Sequence, residues 1–358
     1  MNMEPLKIGL IGCGGISGAH MRAYREHPDK IRLVAVCDVV ADNARRRAAE
    51  LGGVSVYADL NQMLREADMQ AVDICTIHDQ HAGNAIAALQ AGKHVLVEKP
   101  MACSLRECRD MIAAADKADR ILMVAQMQRY DPSYQALKNI IQSGELGPIR
   151  AVRIDAMQNG PEVLTGNAWL LDGRRAGGGI VISVAVHRID LVRYLVGEIT
   201  RVTAVTRCLH PVFKNGAEDY AVAILEFANG AIGELFGTYS GFRQPYSEMF
   251  MIFGDDGAVH SVPQLGRGGG PAFVASRRRS EPFKKFDDMF QGFFPVAPEP
   301  GSLPTGNPFC NELLHFSDCC RTGREPLSSG RDNLGTMKVI FGIYESARRG
   351  SSVELKDI

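Results

Sequence analysis

The stretch LKIGLIGCGGIS, residues 6–17, decides the fold. Its first half is a β-rich apolar run, and its second half is a glycine loop leading into a helical pattern that reaches about His27. Gly12 permits a tight strand-to-helix turn and Gly14 lets backbone approach a pyrophosphate. A helix N-terminus at Gly15, Ile16 and Ser17 offers unpaired N–H groups and a partial positive charge. Ser17 stands where a third glycine is usual and is still small enough for a close helix–strand contact. Glycines are common in turns, so the loop alone is weak evidence. The next strand, residues 31–36, ends at Cys37-Asp38, which sets a carboxylate where it can accept hydrogen bonds from adenosine ribose hydroxyls. Strand, loop, helix, strand and acid in that order predict dinucleotide binding. Asp38 would repel a 2′-phosphate and so favours NAD over NADP. The following Arg45, Arg46 and Arg47 could admit NADP, but they read more simply as a solvated helix face.

Outward from this unit, β-rich runs at 6–11, 31–38, 71–76, 94–98 and 121–125 alternate with helical patterns. The runs are nearly continuous in Val, Ile, Leu and Ala, as strands buried on both faces should be, and the rhythm is that of a parallel, doubly wound sheet. After about residue 128 the pattern changes. Asn229-Gly230 and Asp256-Gly257 mark tight hairpins, and helical patterns start near Gly179 and run through His187 to Val196, then cover about 311–321 and 331–349. The expected fold is α/β: a Rossmann domain over 1–127, then an α+β domain over 128–358 with a largely antiparallel open sheet that binds substrate and carries oligomerisation. Residues 264–308 are rich in Gly, Pro and charge, with Phe283, Phe286, Phe290, Phe293 and Phe294 interspersed. They read as a solvated loop or as an arm packing its Phe residues on a neighbouring subunit or over the active site.

The chain has 358 residues, enough for two cores, and its 40 basic residues nearly cancel 41 acidic ones. Nothing in that balance advertises nucleic acid or a membrane surface. Nine cysteines, an odd number without C-x-x-C pairing, read as reduced thiols in a cytoplasmic protein. Residues 1–5 leave no room for a secretory signal, and no apolar stretch is long enough to span a bilayer. No cluster of His, Cys and carboxylate has metal-ligand spacing, so no metal is expected.

Two further segments carry chemistry. Glu98-Lys99-Pro100 ends the fifth strand at the carboxyl edge of the sheet, where a lysine can donate to a substrate oxygen and stabilise charge developing on it; the alternative is a surface lysine paired with Glu98. In Gly177-Gly178-Gly179 and the helix that follows, Ser183 and His187 are four apart on one face with Asp190 a turn beyond. A histidine suits proton transfer near neutral pH, although one on an apolar helix is as readily a core residue. Trp169, the sole tryptophan, could stack on a sugar ring or simply pack.

Together with the loop, the run 91–100, the triple-glycine helix through His187, and Asn311-Glu312-Leu313 with Gly323-Arg324-Glu325-Pro326 carry a resemblance. The chain resembles, over nearly its whole length, the glucose-fructose oxidoreductase, inositol dehydrogenase and rhizopine-catabolism (Gfo/Idh/MocA) family. The resemblance implies reversible hydride transfer between a secondary hydroxyl of a sugar, glycoside or cyclitol and the nicotinamide, with Lys99 and His187 matching the catalytic Lys and His. It sets Thr76, His78, His81, Glu98, Lys99 and Gln126 near the cofactor and Arg129 near the substrate; capping or surface roles for His78 and His81 remain as alternatives. It also implies substrate binding between the domains and a homo-oligomer, dimer or tetramer, that pairs open sheet faces. The family usually has an aspartate four residues before the histidine and a glycine two before it. Here Ser183 and Ala185 stand instead, so the acid that would orient the histidine is missing. A reductase acting on a keto-sugar uses the same site, and a dinucleotide-binding regulator that has lost catalysis is the reading from a different class.

Overall fold

The computed structural model describes residues 4–241, 246–261, 272–279, 292–298 and 301–358. The chain forms two compact units, one of residues up to Met127 with Thr305–Leu334, the other of Gln128–Pro304 with Gly335–Ile358.

In the first unit, strands β1 (Leu6–Ile11), β2 (Ile31–Cys37), β3 (Ser55–Tyr57), β4 (Ala71–Ile74), β5 (His94–Glu98) and β6 (Leu122–Ala125) form one sheet. Their order is β3-β2-β1-β4-β5-β6, with every neighbouring pair parallel. Helices on both faces make the central strands largely apolar, and Ile8, Leu10, Val72, Ile74, Val95, Leu96 and Val97 are all fully buried. Strand order reverses between β1 and β4, so the segments after Ile11 and Ile74 flank the crevice where doubly wound sheets take ligands. Local rules start the helices. Ser104 and Glu107 form a reciprocal cap, with Ser104 Oγ accepting from the Glu107 N–H and Glu107 Oε2 from that of Cys103. The edge strand β3, too short for a readable pattern, is absent from the sequence-based expectation.

Thr305–Leu334 joins this unit through helix Pro308–Thr322, which packs on helix Ser17–Glu26. Arg321 donates to the carbonyls of Glu4 and Lys30. Ser328 exchanges hydrogen bonds with Val124, through Val124 N–H to its carbonyl and Ser328 Oγ to the Val124 carbonyl, which closes the outer edge of β6.

The second unit is built on a nine-stranded sheet. Its strands are β7 (Ile149–Met157), β8 (Ile199–Arg207), β9 (Tyr220–Phe227), β10 (Ile232–Thr238), β11 (Ser247–Gly254), β12 (Gly257–Ser261), β13 (Ala272–Ser276), β14 (Phe294–Pro295) and β15 (Val353–Glu354). They lie in the order β14-β13-β12-β11-β7-β10-β9-β8-β15, and β7 with β10 is the parallel pair in an otherwise antiparallel sheet. Both expected hairpins form: Asn229-Gly230 lies in the turn from β9 to β10, with Gly230 at φ 85°, whereas the turn from β11 to β12 falls one residue earlier than expected, at Asp255-Asp256, and Gly257 is the first residue of β12. Helix Val186–Val196 packs against β7 and β11 on the sheet's inner face, which buries Ile154, Leu225, Leu235 and Phe250.

The stretch 264–308, expected as loop or arm, contains strands β13 and β14, because Val274 and Phe294 pair across an edge of this sheet. Phe293 and Phe294 are exposed there. Phe283, Phe286 and Phe290 lie outside the described residues.

Candidate active site

At the end of β1, Gly12 turns with φ 87°, and a Cβ on it would stand 2.7 Å from the Cys75 carbonyl, so no other residue fits. At Gly14 and Gly15 a Cβ would meet nothing within 4 Å, so backbone is bare toward open space. Helix Ser17–Glu26 takes no side-chain cap from Ile16. Ser17 is accommodated because its hydroxyl turns inward and donates to the Gly14 carbonyl at 2.8 Å. The Asp38 carboxylate is drawn over the loop. Its Oδ2 accepts from Cys13 N–H and its Oδ1 from Val40 N–H, both at 2.7 Å.

Arg45 and Arg46 are exposed, as a solvated face requires, and Arg45 pairs with exposed Asp42, but Arg46 and Arg47 also reach the loop. Arg46 donates to the Cys13 carbonyl at 3.0 Å, and Arg47 donates to the Gly14 carbonyl at 2.9 Å and to Ser17 Oγ. Sheet packing brings this short helix over the loop, which its own periodicity could not reveal. Beside Asp38 the exposed residue is apolar, Val39 at 92% exposure, and no cation stands at that position. An open glycine loop, an uncapped helix start and an oriented carboxylate together fit a nicotinamide dinucleotide: Gly14, Gly15, Ile16 and Ser17 for the pyrophosphate, Asp38 for the ribose.

The remaining strand ends of this unit bring more of the expected residues together. Thr76 follows β4 and accepts from Asn84 at 3.4 Å. His78 and His81 are buried 5.7 Å apart, ring centre to ring centre. His81 sits between two carbonyls, Nδ1 lying 2.7 Å from Pro100 and Nε2 3.1 Å from Thr76, and burial pushes its pKa down, so the neutral ring donates to one of them. It therefore lies between the β4 loop and the Lys99-Pro100 segment, neither capping a helix nor facing solvent. Glu98 is buried, Lys99 is part-exposed, and the peptide to Pro100 is cis. Gln126, after β6, is buried, and its amide Nε2 meets no acceptor among the described residues.

In the second unit, the helix expected from Gly179 begins as a π-turn, Val181–Ala185, before continuing as α-helix Val186–Val196. Ser183 and His187 therefore sit across a widened turn and lack ideal α-helical spacing. Ser183 is buried beside the hydroxyl of Tyr239; His187 is part-exposed. Trp169, part-exposed, lies in the short helix Leu164–Leu171. The guanidinium of Arg129 is buried in a two-pronged ion pair with Asp190, 2.7 Å at each contact, so this arginine is engaged within the protein.

The start of that helix depends on Glu218, which the sequence reading missed. Its side chain accepts from Gly179 N–H at 2.6 Å and Val181 N–H at 2.9 Å, and its backbone carbonyl from Ile180 N–H at 3.0 Å. The Ile182 N–H goes to the Tyr344 hydroxyl, which itself donates to Glu218. All the orphan donors of the first helical turn are thus met from outside the helix. The approach is so close that a Cβ on Gly179 would stand 1.9 Å from the Glu218 carbonyl, which accounts for the glycine. Only the acid placed just before an alternating strand could have hinted at this.

Burial pushes the Glu218 carboxyl up to about 7, against the pull of its donors. A carboxyl whose folded pKa is raised stabilises the fold below its unfolded pKa and loses that contribution as pH rises through the folded value. The shift from 4.5 to about 7 corresponds to roughly 3 kcal/mol. Chemical denaturation of wild type should therefore weaken between about pH 4.5 and 7 by that amount relative to Glu218→Gln. Parallel pH curves for the two proteins would refute it.

Comparison with known proteins agrees with this geometry. Residues 6–126 match the oxidoreductase family, NAD-binding Rossmann fold, and residues 134–260 match the GFO/IDH/MocA C-terminal domain. The chain is 30% identical to myo-inositol 2-dehydrogenase of Thermotoga maritima, over 99% of both proteins. It is 29% identical to D-apiose dehydrogenase of Paraburkholderia graminis, over 99% of this chain and 91% of that one. Among solved structures, levoglucosan dehydrogenase in complex with NADH and levoglucosan superposes with a TM-score of 0.87 at 27% identity, covering 98% of this chain and 100% of the other. No helix among the described residues is long and apolar enough to cross a membrane. The chain belongs to the GFO/IDH/MocA family of NAD-binding oxidoreductases.

Proposed function

We propose that this protein oxidises a secondary hydroxyl of a sugar, glycoside or cyclitol, with NAD as hydride acceptor. The observation that carries the reading is the partial exposure of two polar side chains at the ends of the elements that position them. Arg129 and Asp190 are buried against each other, whereas Lys99, at the carboxyl edge of the parallel sheet, and His187, on the capped helix, both keep part of their surface exposed. The dinucleotide, when bound, supplies the hydride acceptor. Lys99 donates a hydrogen bond to the substrate hydroxyl oxygen and stabilises negative charge developing there. His187 takes the hydroxyl proton. Ser183, beside Tyr239, supplies a neighbouring polar group without the charge an aspartate would bring.

The first test is absorbance of reduced nicotinamide while the protein and NAD meet myo-inositol, D-apiose and levoglucosan, the compounds on which the named relatives act. A signal from one identifies the class; silence from all, with NAD bound, defeats the dehydrogenase reading.

A second copy of the chain covers the outer sheet face in this proposal. Val222, Ile224 and Ile232 are more than half exposed there, at 54%, 54% and 61%. Ile224 pairs across β9 and β10 with Glu234, and the salt bridges Arg201–Glu226 and Arg153–Glu234 supply both signs of charge, as a self-complementary interface needs. Ile224→Lys is expected to leave monomers in sedimentation analysis where wild type is a dimer or tetramer; monomeric wild type would sink the proposal. A cytoplasmic setting accords with nine cysteines that are all free thiols.

A further inference from the structure

Under the crevice of the first unit lies a charged cluster that the proposed chemistry does not use. Asp73 occupies β4, an otherwise apolar strand, and is 0% exposed. A carboxylate in such a place must be met by donors. Tyr24 donates its hydroxyl to Asp73 Oδ2 at 2.8 Å, and His20 Nδ1 stands 2.9 Å from the same oxygen. The other ring nitrogen, Nε2, stands 3.2 Å from Glu98 Oε1 at the end of β5. Glu98 Oε2 in turn accepts the backbone N–H of Lys99 at 3.0 Å. Around the ring the remaining neighbours are Cys75 after β4 and, from helix Pro308–Thr322, Phe309 and Cys310.

Ionised carboxylates only accept, so hydrogen bonds from both ring nitrogens require a proton on each. Burial is the largest single influence and opposes a charged ring, but Asp73 and Cys75 in contact together outweigh it and hold the His20 pKa well above the usual histidine range. A neutral ring would serve one carboxylate and leave the other uncompensated in the interior.

We propose that His20 is a positioning residue for Lys99. Clamped between Asp73 and Glu98, it fixes the carboxylate that grips the Lys99 amide, and its charge offsets that of Glu98 on the residue preceding Lys99. This rests on the assignment of Lys99 to the chemistry.

His20→Gln keeps a donor for Glu98 and removes the charge. The first readout needs neither substrate nor cofactor: competitive acetylation of Lys99 by acetic anhydride as a function of pH, followed by mass spectrometry. Loss of the buried cation is expected to raise the apparent Lys99 pKa by about half a unit or more. The second is steady-state kinetics with NAD and whichever of myo-inositol, D-apiose and levoglucosan wild type oxidises fastest. There kcat should fall about tenfold with NADH affinity changed less than about threefold, and His20→Gln with Glu98→Gln should be no worse than Glu98→Gln alone, since the two act as one unit. An unmoved Lys99 pKa, or losses that simply add, overturns the proposal. Should His20→Gln fail to fold, Glu98→Gln carries the test: removing the link must lower the Lys99 pKa, and an unchanged value overturns it. If wild type oxidises none of the three compounds, the functional reading fails while acetylation still judges this one.

Discussion

Lys99→Ala is expected to lower kcat about 10²–10³-fold, the usual loss when one preorganised donor to a developing oxyanion is removed. The loss should fall on turnover with NADH affinity nearly unchanged, because the glycine loop and Asp38 follow β1 and β2, two and three positions from β5 in the sheet order. Lys99→Arg should restore little, since a planar fork cannot reproduce the point donor of an ammonium. Fluorescence titration with NADH alongside stopped-flow turnover separates the two effects. Turnover that survives in Lys99→Ala would remove this residue from the chemistry and return it to the bland reading of a surface lysine beside Glu98.

His187→Ala is expected to cost about 10²–10⁴-fold in kcat, the range for loss of a positioned general base. Its rate should rise again with pH as hydroxide takes over the proton, whereas wild type should level off once the imidazole is neutral. The fold should survive, because the helix start is held by Glu218 and Tyr344 and the side chain of His187 is part-exposed. A pH–rate profile of kcat/KM unchanged in shape between the two proteins would show that another group moves the proton. Ser183→Ala gives a milder contrast, since it removes a single neutral partner of Tyr239.

The doubly wound sheet, and the glycine loop and acid that follow its first two strands, were legible because each rests on local signals. Near-continuous apolar runs, the glycines at residues 12, 14 and 15, and an acid closing the second strand are properties of neighbouring residues. The hairpin at Asn229-Gly230 was legible for the same reason, and so was the one after β11, although its turn falls at Asp255-Asp256, one residue before the expected Asp256-Gly257. Lys99 and His187 were proposed from short segments that can be read without knowledge of the rest of the chain.

Only the tertiary structure decided who meets whom. Asp73 could be suspected as a charge inside a buried strand, but its partner His20 lies 53 residues earlier, and Glu98 lies 78 residues beyond that histidine. Their meeting depends on β4 and β5 lying side by side beneath a particular helix. The same holds for Glu218, 39 residues from Gly179, for Arg46 and Arg47 turning onto the loop, and for Thr305–Leu334 returning to the first unit. Periodicity states which face of an element is buried. It does not state against what, because a buried polar group is satisfied by any donor or acceptor that packing brings to it, at whatever distance along the chain.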